Sequence, residues 1–333
     1  MININILLSS DDNYALLTGV LIQSLLIHNS SEFQDISIYI LDGGIANVNK
    51  SKIDSVCQKF NNINLYFIEY DNIEDMVGID MKVTVPFTAY ARLFAESLLP
   101  KDIEKILYLD VDGVVNGSLK EVYETNIDDY YIAAVEDMGP NYINHFLNLP
   151  DETAHYNSGF LLINLKKWRE DNLEKEFIDC IIKFNGEVYH NDQGVINIVC
   201  RDKILKLPPE YNIHAPFFGE GFDKILKFYG VSQYYTKEIT ENAIKNPIFI
   251  HFVQFVYGRP WFRNAENHPL RETFDFYASQ TPFKNEVYTE DNRGFLIKFL
   301  SLAYKIFPFS LLCWMFDVYR KIAVKINFRG FFE

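Results

Sequence analysis

The chain has 333 residues, of which 48% are hydrophobic, 16% aromatic and 23% charged. This composition supports the packed core of one large domain or two small ones, and it excludes disordered, collagen-like and low-complexity proteins. With 31 basic and 45 acidic residues, the net charge of −14 is a poor match for nucleic-acid phosphates, so we expect no nucleic-acid partner.

The first two-thirds of the chain alternate strand-like and helix-like segments. Strands are predicted at 2–8, 36–41, 63–68, 106–109, 131–135 and 160–165, and helices at 14–27, 45–60, 87–99 and from about 166 to 184. Strands that alternate with helices in this way indicate βαβ units and a mostly parallel sheet. We therefore predict an α/β fold with one domain over 1–280 and a tail over 281–333, while the topology of 204–292 is left open.

The cysteines and the N-terminus favour a cytoplasmic protein. The four cysteines form no C-x-x-C pair, which argues against a zinc finger or a thioredoxin-like motif and fits a reducing compartment. The first residues lack the basic region and the cleavage site of a secretory signal.

The apolar strand predicted at 106–109 runs directly into two acidic residues, Asp110 and Asp112, followed by Gly113. Side chains two positions apart in extended backbone point the same way, and open parallel sheets bind ligands beyond the carboxyl ends of their strands. Neighbouring carboxylates repel each other unless a cation or a shared proton compensates. The pair therefore predicts a divalent metal site, unless the segment is only a solvated turn.

Two chemistries use such a pair. In the first, both carboxylates hold a metal ion that bridges a diphosphate leaving group. In the second, Asp110 is a nucleophile toward phosphate, because the segment resembles the motif of haloacid-dehalogenase-type phosphatases. That motif normally lies on the first strand of its fold, whereas Asp110 lies far into this chain.

Further segments favour the first chemistry. In chain order they are Ser10-Asp11-Asp12-Asn13-Tyr14-Ala15, Thr88-Ala-Tyr-Ala-Arg92-Leu93, Tyr108-Leu-Asp110-Val-Asp112, Tyr156-Asn157-Ser-Gly-Phe-Leu-Leu-Ile-Asn164-Leu-Lys-Lys-Trp168, Asn191-Asp192-Gln193, and His251-Phe252 with Arg259-Pro260-Trp261. Over about residues 3–262 they resemble glycosyltransferase family 8, which includes the retaining galactosyltransferases and glucosyltransferases of bacterial lipopolysaccharide synthesis, and glycogenin. The resemblance implies the GT-A fold, a Rossmann-like α/β domain with a mixed, mostly parallel sheet that binds a UDP-sugar.

The resemblance also implies a metal centre with the ligands Asp110, Asp112 and His251. Oxygen ligands with one imidazole suit Mn²⁺ better than Ca²⁺, and Mg²⁺ is the alternative ion. The ion would neutralise the diphosphate as the glycosidic bond breaks. Arg259, where the family has lysine, would donate to the departing phosphate.

The substrate contacts are implied in the same way. Asp11, Asp12 and Asn13 would meet the uracil and the ribose, Tyr14 would stack on the base, and Arg92, Asp137, Asn157, Asp192 and Gln193 would contact the donor sugar. Of these, Gln193, Asp192 and Arg92 are the implied catalytic residues, with Gln193 nearest the anomeric carbon. A carboxamide is a poor nucleophile, so front-face substitution with retention is expected. Each residue type also has a structural interpretation: Tyr14 or His251 in the core, Arg92 in solvent, Asn157 in a turn.

The chain departs from the family pattern at two positions that bear on the donor. Gly194 stands where a carboxylate is common, and Gln254 stands where glycine is usual. The expectation is a lost donor or acceptor contact at Gly194 and crowding of the diphosphate at Gln254.

The C-terminal tail combines positive charge with aromatic side chains. Residues 293–333 have seven basic residues, two acidic ones and eleven aromatic ones, among them Phe295, Phe299, Phe307, Phe309, Trp314, Phe316, Phe328, Phe331 and Phe332. Such a segment is typical of a helix in the headgroup layer of an anionic membrane. The alternative is a terminal helix that packs on the domain or on a second subunit.

The sequence therefore predicts a cytoplasmic transferase that is peripheral on the inner face of the membrane. It would move galactose or glucose from UDP to a saccharide acceptor, which a lipid could carry, during lipopolysaccharide or other surface-glycan synthesis. Two alternatives stay open: a phosphatase that uses Asp110, and a catalytically inactive nucleotide-sugar-binding protein.

Overall fold

The structure, a computed structural model, describes residues 2–139, 143–150, 152–231, 234–286, 288–291 and 293–327. Its strands are β1 Ile4–Ser10, β2 Ile36–Asp42, β3 Ile63–Glu69, β4 Lys105–Leu109, β5 Gly113–Val115, β6 Ile132–Glu136, β7 Tyr156–Asn164, β8 Ile204–Leu207, β9 Ile213–His214 and β10 Phe249–His251. Its α-helices are α1 Ala15–Asn29, α2 Asn47–Cys57, α3 Ile73–Val77, α4 Ala95–Leu98, α5 Lys120–Glu124, α6 Ile143–Phe146, α7 Leu165–Asp171, α8 Leu173–Lys183, α9 Asn191–Cys200, α10 Pro216–Glu220, α11 Phe222–Tyr229, α12 Lys237–Lys245, α13 Arg271–Ala278, α14 Phe295–Ile306 and α15 Phe309–Asn327.

Within the described ranges, seven strands form the main sheet in the order β3-β2-β1-β4-β7-β6-β8. All neighbouring pairs are parallel except those of β7, which runs antiparallel to both β4 and β6. The predicted mixed, mostly parallel α/β fold is therefore confirmed. Because β7 is reversed, its first residues lie at the edge where β1, β4 and β6 end.

A smaller sheet joins the end of β4 to the later part of the chain. Its order is β5-β10-β9, and His251 of β10 pairs with Gly113 of β5 and with His214 of β9. This sheet contains the segment that had no predicted topology, and it brings His251 to the carboxyl end of β4.

The helix α1 follows β1 and is buried almost all round, as its run of apolar residues predicts. It contacts α2, α13 and β5, so it lies between the sheet and the outer helices. A helix that is apolar on every side is stable only in such a position.

Two predicted helices differ in form from the structure. Residues Phe87–Phe94 wind as a 3₁₀ helix before the short α4. Every side chain from Tyr90 to Phe94 is buried, and 3₁₀ turns are frequent at the start of an α-helix such as α4. The helix predicted to reach residue 184 is divided into α7 and α8 at Asn172, whose φ of 53° is left-handed, a conformation that asparagine tolerates.

One face of the tail helices α14 and α15 packs on the domain. Leu300 and Phe316 are buried, and the Phe316 ring lies 4.6 Å from that of Phe228 on α11. The sequence predicts that the basic residues of the tail, Arg293 among them, face a membrane. The side chain of Arg293 is instead buried, where it pairs with Asp291 and donates to Phe255 O. It therefore anchors the tail to the domain.

The other face of these helices carries a row of exposed apolar side chains: Phe295, Phe299, Leu302, Ile306, Phe307, Leu311, Trp314 and Ile322. None of the helices among the described residues is both long and apolar enough to cross a bilayer. Phe328, Arg329, Phe331 and Phe332 lie outside the described residues.

Candidate active site and metal centre

The predicted site residues meet at one edge of the main sheet. Asp110 follows the carboxyl end of β4, and Asp137 follows the carboxyl end of β6. Asn157 is the second residue of the reversed strand β7. A β-bulge between Ala134 and Glu136 interrupts the pairing just before Asp137. Such irregularities are common next to binding sites, and the Asp137 carboxylate that follows this one accepts from Gln193 Nε2 at 2.8 Å.

Asp110, Asp112 and His251 come together as the sequence predicts. One ligand atom of each lies within 4.8 Å of the others. His251 Nε2 lies 3.0 Å from Asp112 Oδ1 and 3.8 Å from Asp110 Oδ2, and the other ring nitrogen, Nδ1, lies 3.2 Å from Asn212 Oδ1. Two carboxylates and one imidazole nitrogen that converge in this way fit a divalent cation such as Mn²⁺ or Mg²⁺.

Protein cations already compensate the charge of both carboxylates. Arg92 Nη2 lies 2.9 Å from Asp110 Oδ1, and Arg259 Nη1 contacts Asp112 Oδ2. Burial alone would raise the pKa of Asp112, but the charges of His251 and Arg259 hold that pKa well below its usual range. The acidic pair alone therefore does not require a metal ion. What favours one is that His251 Nε2 and an oxygen of each acid converge on the same small space.

Arg92 also ties Asp110 to a third carboxylate, that of Asp192. Its Nε lies 3.3 Å from Asp192 Oδ2, and its Nη1 donates to Ser158 O at 2.7 Å. Burial would lower the pKa of Arg92, but Asp110 outweighs that effect and the pKa is raised. Burial raises the pKa of Asp192 to about 6 in spite of Arg92. Arg92 is thus a buried structural cation at the site and is not a solvated helix residue.

Strand β7 approaches the metal ligands so closely that only glycine fits at position 159. A Cβ there would lie 2.5 Å from His251 Cε1 and 2.9 Å from Asp110 Oδ2. The backbone amide of Asp110 donates to Gly159 O at 2.8 Å, which holds the two segments together. The glycine of the Asn157-Ser-Gly segment therefore makes room for the side chains of His251 and Asp110.

Gln193 lies beside the metal centre in a cage of hydrogen-bond partners. Its Nε2 donates to Asp137 Oδ2 at 2.8 Å and lies 3.0 Å from His155 Nε2 and 3.3 Å from His190 Nδ1. Its Oε1 accepts from Ser158 N at 3.1 Å. Burial lowers the pKa of His155 to about 3 and also lowers that of His190, so both rings are neutral acceptors near pH 7.

This cage also explains a second group of residues with metal-ligand chemistry, Asp137, His155 and His190. The amide nitrogen of Gln193 contacts all three, so it occupies the place that a cation would need. The group fits an amide donor and not a metal ion.

Position 194 has no room for the carboxylate that is common there. A Cβ on Gly194 would lie 2.0 Å from Tyr189 O. The cause is the turn before α9, where His190 and Asn191 both have positive φ, 60° and 54°, and bring the Tyr189 carbonyl over the helix. Glycine at 194 is therefore a steric requirement of this turn. Gln254, the other departure, is exposed.

The residues expected to bind the nucleotide have local structural partners. Asp11 Oδ1 caps a 3₁₀ turn by accepting from Asn13 N and Tyr14 N, at 2.9 and 3.2 Å. Asp12 Oδ1 accepts from Ala46 N at 2.8 Å, which holds the loop after β2. Tyr14 is half-buried against two apolar clusters, and burial and Asp112 raise its pKa.

A cleft of about 540 Å³ opens at the carboxyl ends of β1, β2 and β3. Of the predicted nucleotide residues, Asp11 lines it, together with Asp42, Gly43, Gly44, Lys50, Glu69, Tyr70, Asp71, Asn72, Ile73, Pro86, Phe87 and Thr88. Sequence reasoning did not single out Tyr70 and Phe87, whose aromatic rings line a cleft at a strand edge where α/β folds bind ligands.

Other site residues were also missed. His155, His190 and Asn212 lie in no motif that we recognised. His155 lies in the loop before β7, His190 in the turn before α9, and Asn212 at the end of a 3₁₀ helix. The one available signal was position, because His155 and His190 each precede a recognised segment by one residue.

Comparison with known proteins identifies a family. The family model described as glycosyl transferase family 8 matches residues 5–265. General stress protein A of Bacillus subtilis is 28% identical over 277 residues, which cover 82% of this chain and 92% of that protein. Lipopolysaccharide 1,2-glucosyltransferase of Escherichia coli K12 is 26% identical over 289 residues, covering 85% of this chain and 80% of that one.

Solved structures support the fold. The galactosyltransferase LgtC, in complex with donor and acceptor sugar analogues, superposes with a TM-score of 0.68 at 23% identity, covering 84% of this chain and 96% of that one. The bifunctional glycosyltransferase WbbM in its apo form gives a TM-score of 0.71 at 22% identity, covering 86% of this chain and 51% of that one. Both are similar to this chain in their α/β architecture, as the GT-A expectation requires.

We predict that Gly159→Ala weakens Mn²⁺ binding at least about tenfold, because the new methyl group must displace His251 or Asp110. Gly294→Ala is the matched control, since nothing lies within 4 Å of a Cβ there. Titration of Mn²⁺ by electron paramagnetic resonance measures both. Equal affinities in the two variants would contradict the proposed crowding.

We also predict that Mn²⁺ affinity rises with pH. Burial alone would lower the pKa of His251, but Asp112 outweighs it and raises that pKa above 6.5. A proton on Nε2 competes with the metal, so affinity is weak below the raised pKa and levels off only above it. Dissociation constants between pH 5.5 and 8.5 test this, with His251→Asn as the variant that lacks the dependence. An affinity that levels off below pH 6.5 would show that Asp112 and Asp110 do not raise the pKa of His251.

Proposed function

The chain belongs to glycosyltransferase family 8, and we propose that it is a metal-dependent retaining glycosyltransferase that moves galactose or glucose from a UDP-sugar to a saccharide acceptor. Lipopolysaccharide or another surface glycan is the proposed product. The similarity to a lipopolysaccharide 1,2-glucosyltransferase and to the galactosyltransferase LgtC supports this choice of sugars and acceptor class.

One observation carries the proposal. Asp110, Asp112 and His251 Nε2 converge from separate parts of the chain, directly beside the cage that holds Gln193. A cation site and a neutral amide then lie side by side at the carboxyl edge of the sheet. In a glycosyl transfer that releases a diphosphate, a cation can stabilise the leaving group and an amide can orient the sugar.

The proposed roles follow from the contacts. When bound at Asp110, Asp112 and His251, Mn²⁺ or Mg²⁺ would supply Lewis-acid stabilisation of the diphosphate. Arg259, which contacts Asp112, is placed to donate its remaining N–H groups to the departing phosphate. Arg92, although saturated by Asp110, Asp192 and Ser158, would orient these groups around the sugar.

Gln193 and its neighbours would orient the donor sugar. Its amide nitrogen has no basic lone pair and faces hydrogen-bond acceptors, and its oxygen already accepts from Ser158 N. Gln193 is therefore a poor nucleophile toward the anomeric carbon. The proposal is therefore front-face substitution with retention, in which Asp137, Asn157 and Asp192 hold sugar hydroxyls and a phosphate oxygen takes the acceptor proton.

The uridine would occupy the cleft at the ends of β1, β2 and β3. Asp11 lines that cleft, and the Tyr70 and Phe87 rings offer a stacking surface in addition to the predicted Tyr14. Asp12 and Asn13 would shape this end of the site through the 3₁₀ turn that they form with Tyr14.

The family match argues against the phosphatase alternative. Within the site, Asp110 Oδ1 accepts a hydrogen bond from the Tyr108 hydroxyl at 2.7 Å and pairs with Arg92, which leaves only Oδ2 as a possible nucleophile. Gly113 also has a structural role, because a Cβ there would lie 2.2 Å from the Phe249 ring of β10. The inactive nucleotide-sugar-binding protein remains the second candidate, since the departure at Gly194 is built into the turn before α9.

The tail would hold the enzyme on an anionic membrane surface, at the cytoplasmic face, where a lipid-linked acceptor would be available. Its packed face is fixed by Leu300 and Phe316, which leaves the opposite apolar row free for the headgroup layer. Lys298 is exposed on the same helix and offers a positive charge there. The boundary between domain and tail near residue 280 belongs to this proposal.

We predict that Asp112→Asn lowers Mn²⁺-dependent UDP-galactose or UDP-glucose hydrolysis by at least about 100-fold, because Lewis-acid stabilisation is worth several kcal/mol. Asp110→Asn should act in the same way. Asp129→Asn, at an exposed acid that precedes β6 at the opposite edge of the sheet, is the control. Unchanged turnover in folded Asp112→Asn protein would refute the metal assignment, whereas donor binding without turnover in the unaltered protein would favour the inactive binding protein.

We further predict that replacing both Phe295 and Trp314 by serine weakens sedimentation with anionic liposomes at least about tenfold, since each buried aromatic side chain contributes about 1.5–3 kcal/mol. Phe276→Ser removes an equally exposed aromatic ring from α13 and is the control. A full-length protein that sediments no more than a chain ending at Thr289 would contradict membrane attachment through the tail.

A further inference from the structure

We infer that Arg293 is a positioning residue of the proposed transfer: it holds the loop that carries Arg259, and so sets where the Arg259 guanidinium group lies beside Asp112. The inference rests on the proposed function, in which Arg259 donates to the departing phosphate. Arg293 lies just before α14, in the segment that joins the domain to the tail, far along the chain from the acids at the end of β4.

The loop begins at Phe252, after β10, and contains a tight turn directly before Arg259. Gly258 N donates to Phe255 O at 3.0 Å, and the two residues form an isolated antiparallel bridge. Gly258 has a φ of 86°, a left-handed conformation that glycine adopts without steric cost. Because Arg259 is the next residue, this turn sets the direction in which its side chain leaves the loop.

The Arg259 side chain is held by one of its nitrogens and by one aromatic ring. Its Nη1 contacts Asp112 Oδ2 and donates to Phe252 O at 2.6 Å. Its guanidinium carbon lies 5.3 Å from the centre of the Trp261 ring. Within the part of the chain that the structure describes, Nε and Nη2 have no hydrogen-bond partner. The direction of these remaining donors therefore depends on the loop.

Arg293 contacts the turn through two backbone carbonyls. Its Nη1 donates to Phe255 O and to Val256 O, both at 3.1 Å. Phe255 O is also the carbonyl that closes the turn by accepting from Gly258 N. A Cβ at Gly258 would lie 3.4 Å from Arg293 Nη2, so the guanidinium group lies directly against the turn that precedes Arg259.

Asp291 fixes the direction of the Arg293 guanidinium group. Nε and Nη2 donate to the two oxygens of the Asp291 carboxylate at 2.9 and 2.8 Å, and both side chains are buried, with 7% and 5% of their surface exposed. The two residues are neighbours in sequence, so their ion pair joins no distant parts of the chain. It holds the guanidinium plane in one orientation, in which Nη1 reaches Phe255 O and Val256 O.

The same segment holds the loop on the other side of Arg259. Thr289 N donates to Trp261 O, and Thr289 O accepts from Arg263 N, both at 2.9 Å. Thr289 and Arg293 thus attach to the loop after and before Arg259. A shift of the turn at the Arg293 attachment should therefore move Arg259 while the Thr289 attachment stays in place.

Arg293 could instead serve only to attach the tail, because its Nη1 also donates to Ser301 Oγ of α14 at 3.2 Å. The two roles lead to different expectations. A residue that only anchors the tail changes stability in the same way whether Arg259 is present or not. A positioning residue changes the step in which Arg259 takes part, and it loses that effect once Arg259 is absent.

The first test is donor hydrolysis by full-length Arg293→Lys protein with Mn²⁺ and either UDP-galactose or UDP-glucose. Lysine keeps the positive charge but loses the fork that reaches a carboxylate and two carbonyls at once. We expect kcat to fall about 10–100-fold while KM stays within about threefold, because a displaced Arg259 chiefly loses its interaction with the charge that develops on the departing phosphate.

Arg169→Lys is the matched control. Arg169 also donates to backbone carbonyls, those of Pro100 and Lys101 at 3.1 Å and that of Ile103 at 2.6 Å, but these residues precede β4 at the opposite edge of the main sheet. Its kcat and KM should equal those of the unaltered protein. Thermal unfolding of both variants confirms that the kinetics are measured on folded protein.

A double-mutant cycle with Arg259→Ala decides whether Arg293 acts through Arg259. We expect the kcat of the double variant to lie within about twofold of that of Arg259→Ala alone, since the interaction that Arg293 supports is already lost. Losses that multiply in the double variant would overturn the inference. A kcat of Arg293→Lys equal to that of the unaltered protein would also overturn it.

The position of Arg259 can also be observed without metal, nucleotide or turnover. In protein labelled with 5-fluorotryptophan, the ¹⁹F signal of Trp261, assigned by Trp261→Phe, reports on the guanidinium group beside its ring. We expect Arg293→Lys to move this signal in the same direction as Arg259→Ala does, and to move it no further in the double variant. A signal that Arg293→Lys leaves in place, or moves equally without Arg259, would overturn the inference. The expected shifts in a protein that hydrolyses neither donor would support the inference while refuting the proposed transfer.

Discussion

The close approach of β7 to His251 and Asp110 is the constraint on which the rest of the site depends. A side chain at 159 would occupy the space where Asp110 and His251 meet, so the strand must carry glycine there. The residues just before it in β7, Asn157 and Ser158, donate to Gln193. One reversed strand in a mostly parallel sheet thereby brings the candidate metal ligands and Gln193 together.

Electrostatics at this edge are balanced within the protein. Arg92 and Arg259 each pair with one of the two acids, and His251 lies between them. Such buried pairs contribute little net stability, because desolvation offsets much of their attraction. Their contribution here is to fix the positions of the carboxylates of Asp110, Asp112 and Asp192 and of the two guanidinium groups before a charged ligand binds. A nucleoside diphosphate with a divalent cation has the matching charge distribution.

The sequence predicted the α/β class, the strands β1 to β4, β6 and β7, and a pair of acids, Asp110 and Asp112, at a strand end, while the family resemblance implied that His251 joins them. The short strands β5, β8, β9 and β10 were not predicted. The sequence also did not predict the 3₁₀ form of Phe87–Phe94, because an apolar pattern does not distinguish 3₁₀ from α winding, nor the division at Asn172, because a single left-handed asparagine leaves no periodic signal. Gly194 was interpreted as a lost carboxylate, whereas the left-handed pair His190 and Asn191 makes glycine necessary. His155 and Asn212 act through partners distant in sequence, and a single sequence carries no information on such pairing.

The most direct test of the central claim is anomalous diffraction from a crystal soaked with Mn²⁺ and UDP. The account predicts one strong manganese peak within coordination distance of Asp110, Asp112 and His251 Nε2, with the diphosphate on its open side and Arg259 turned toward the phosphate. A peak at other residues, or no peak while UDP is bound, would contradict it.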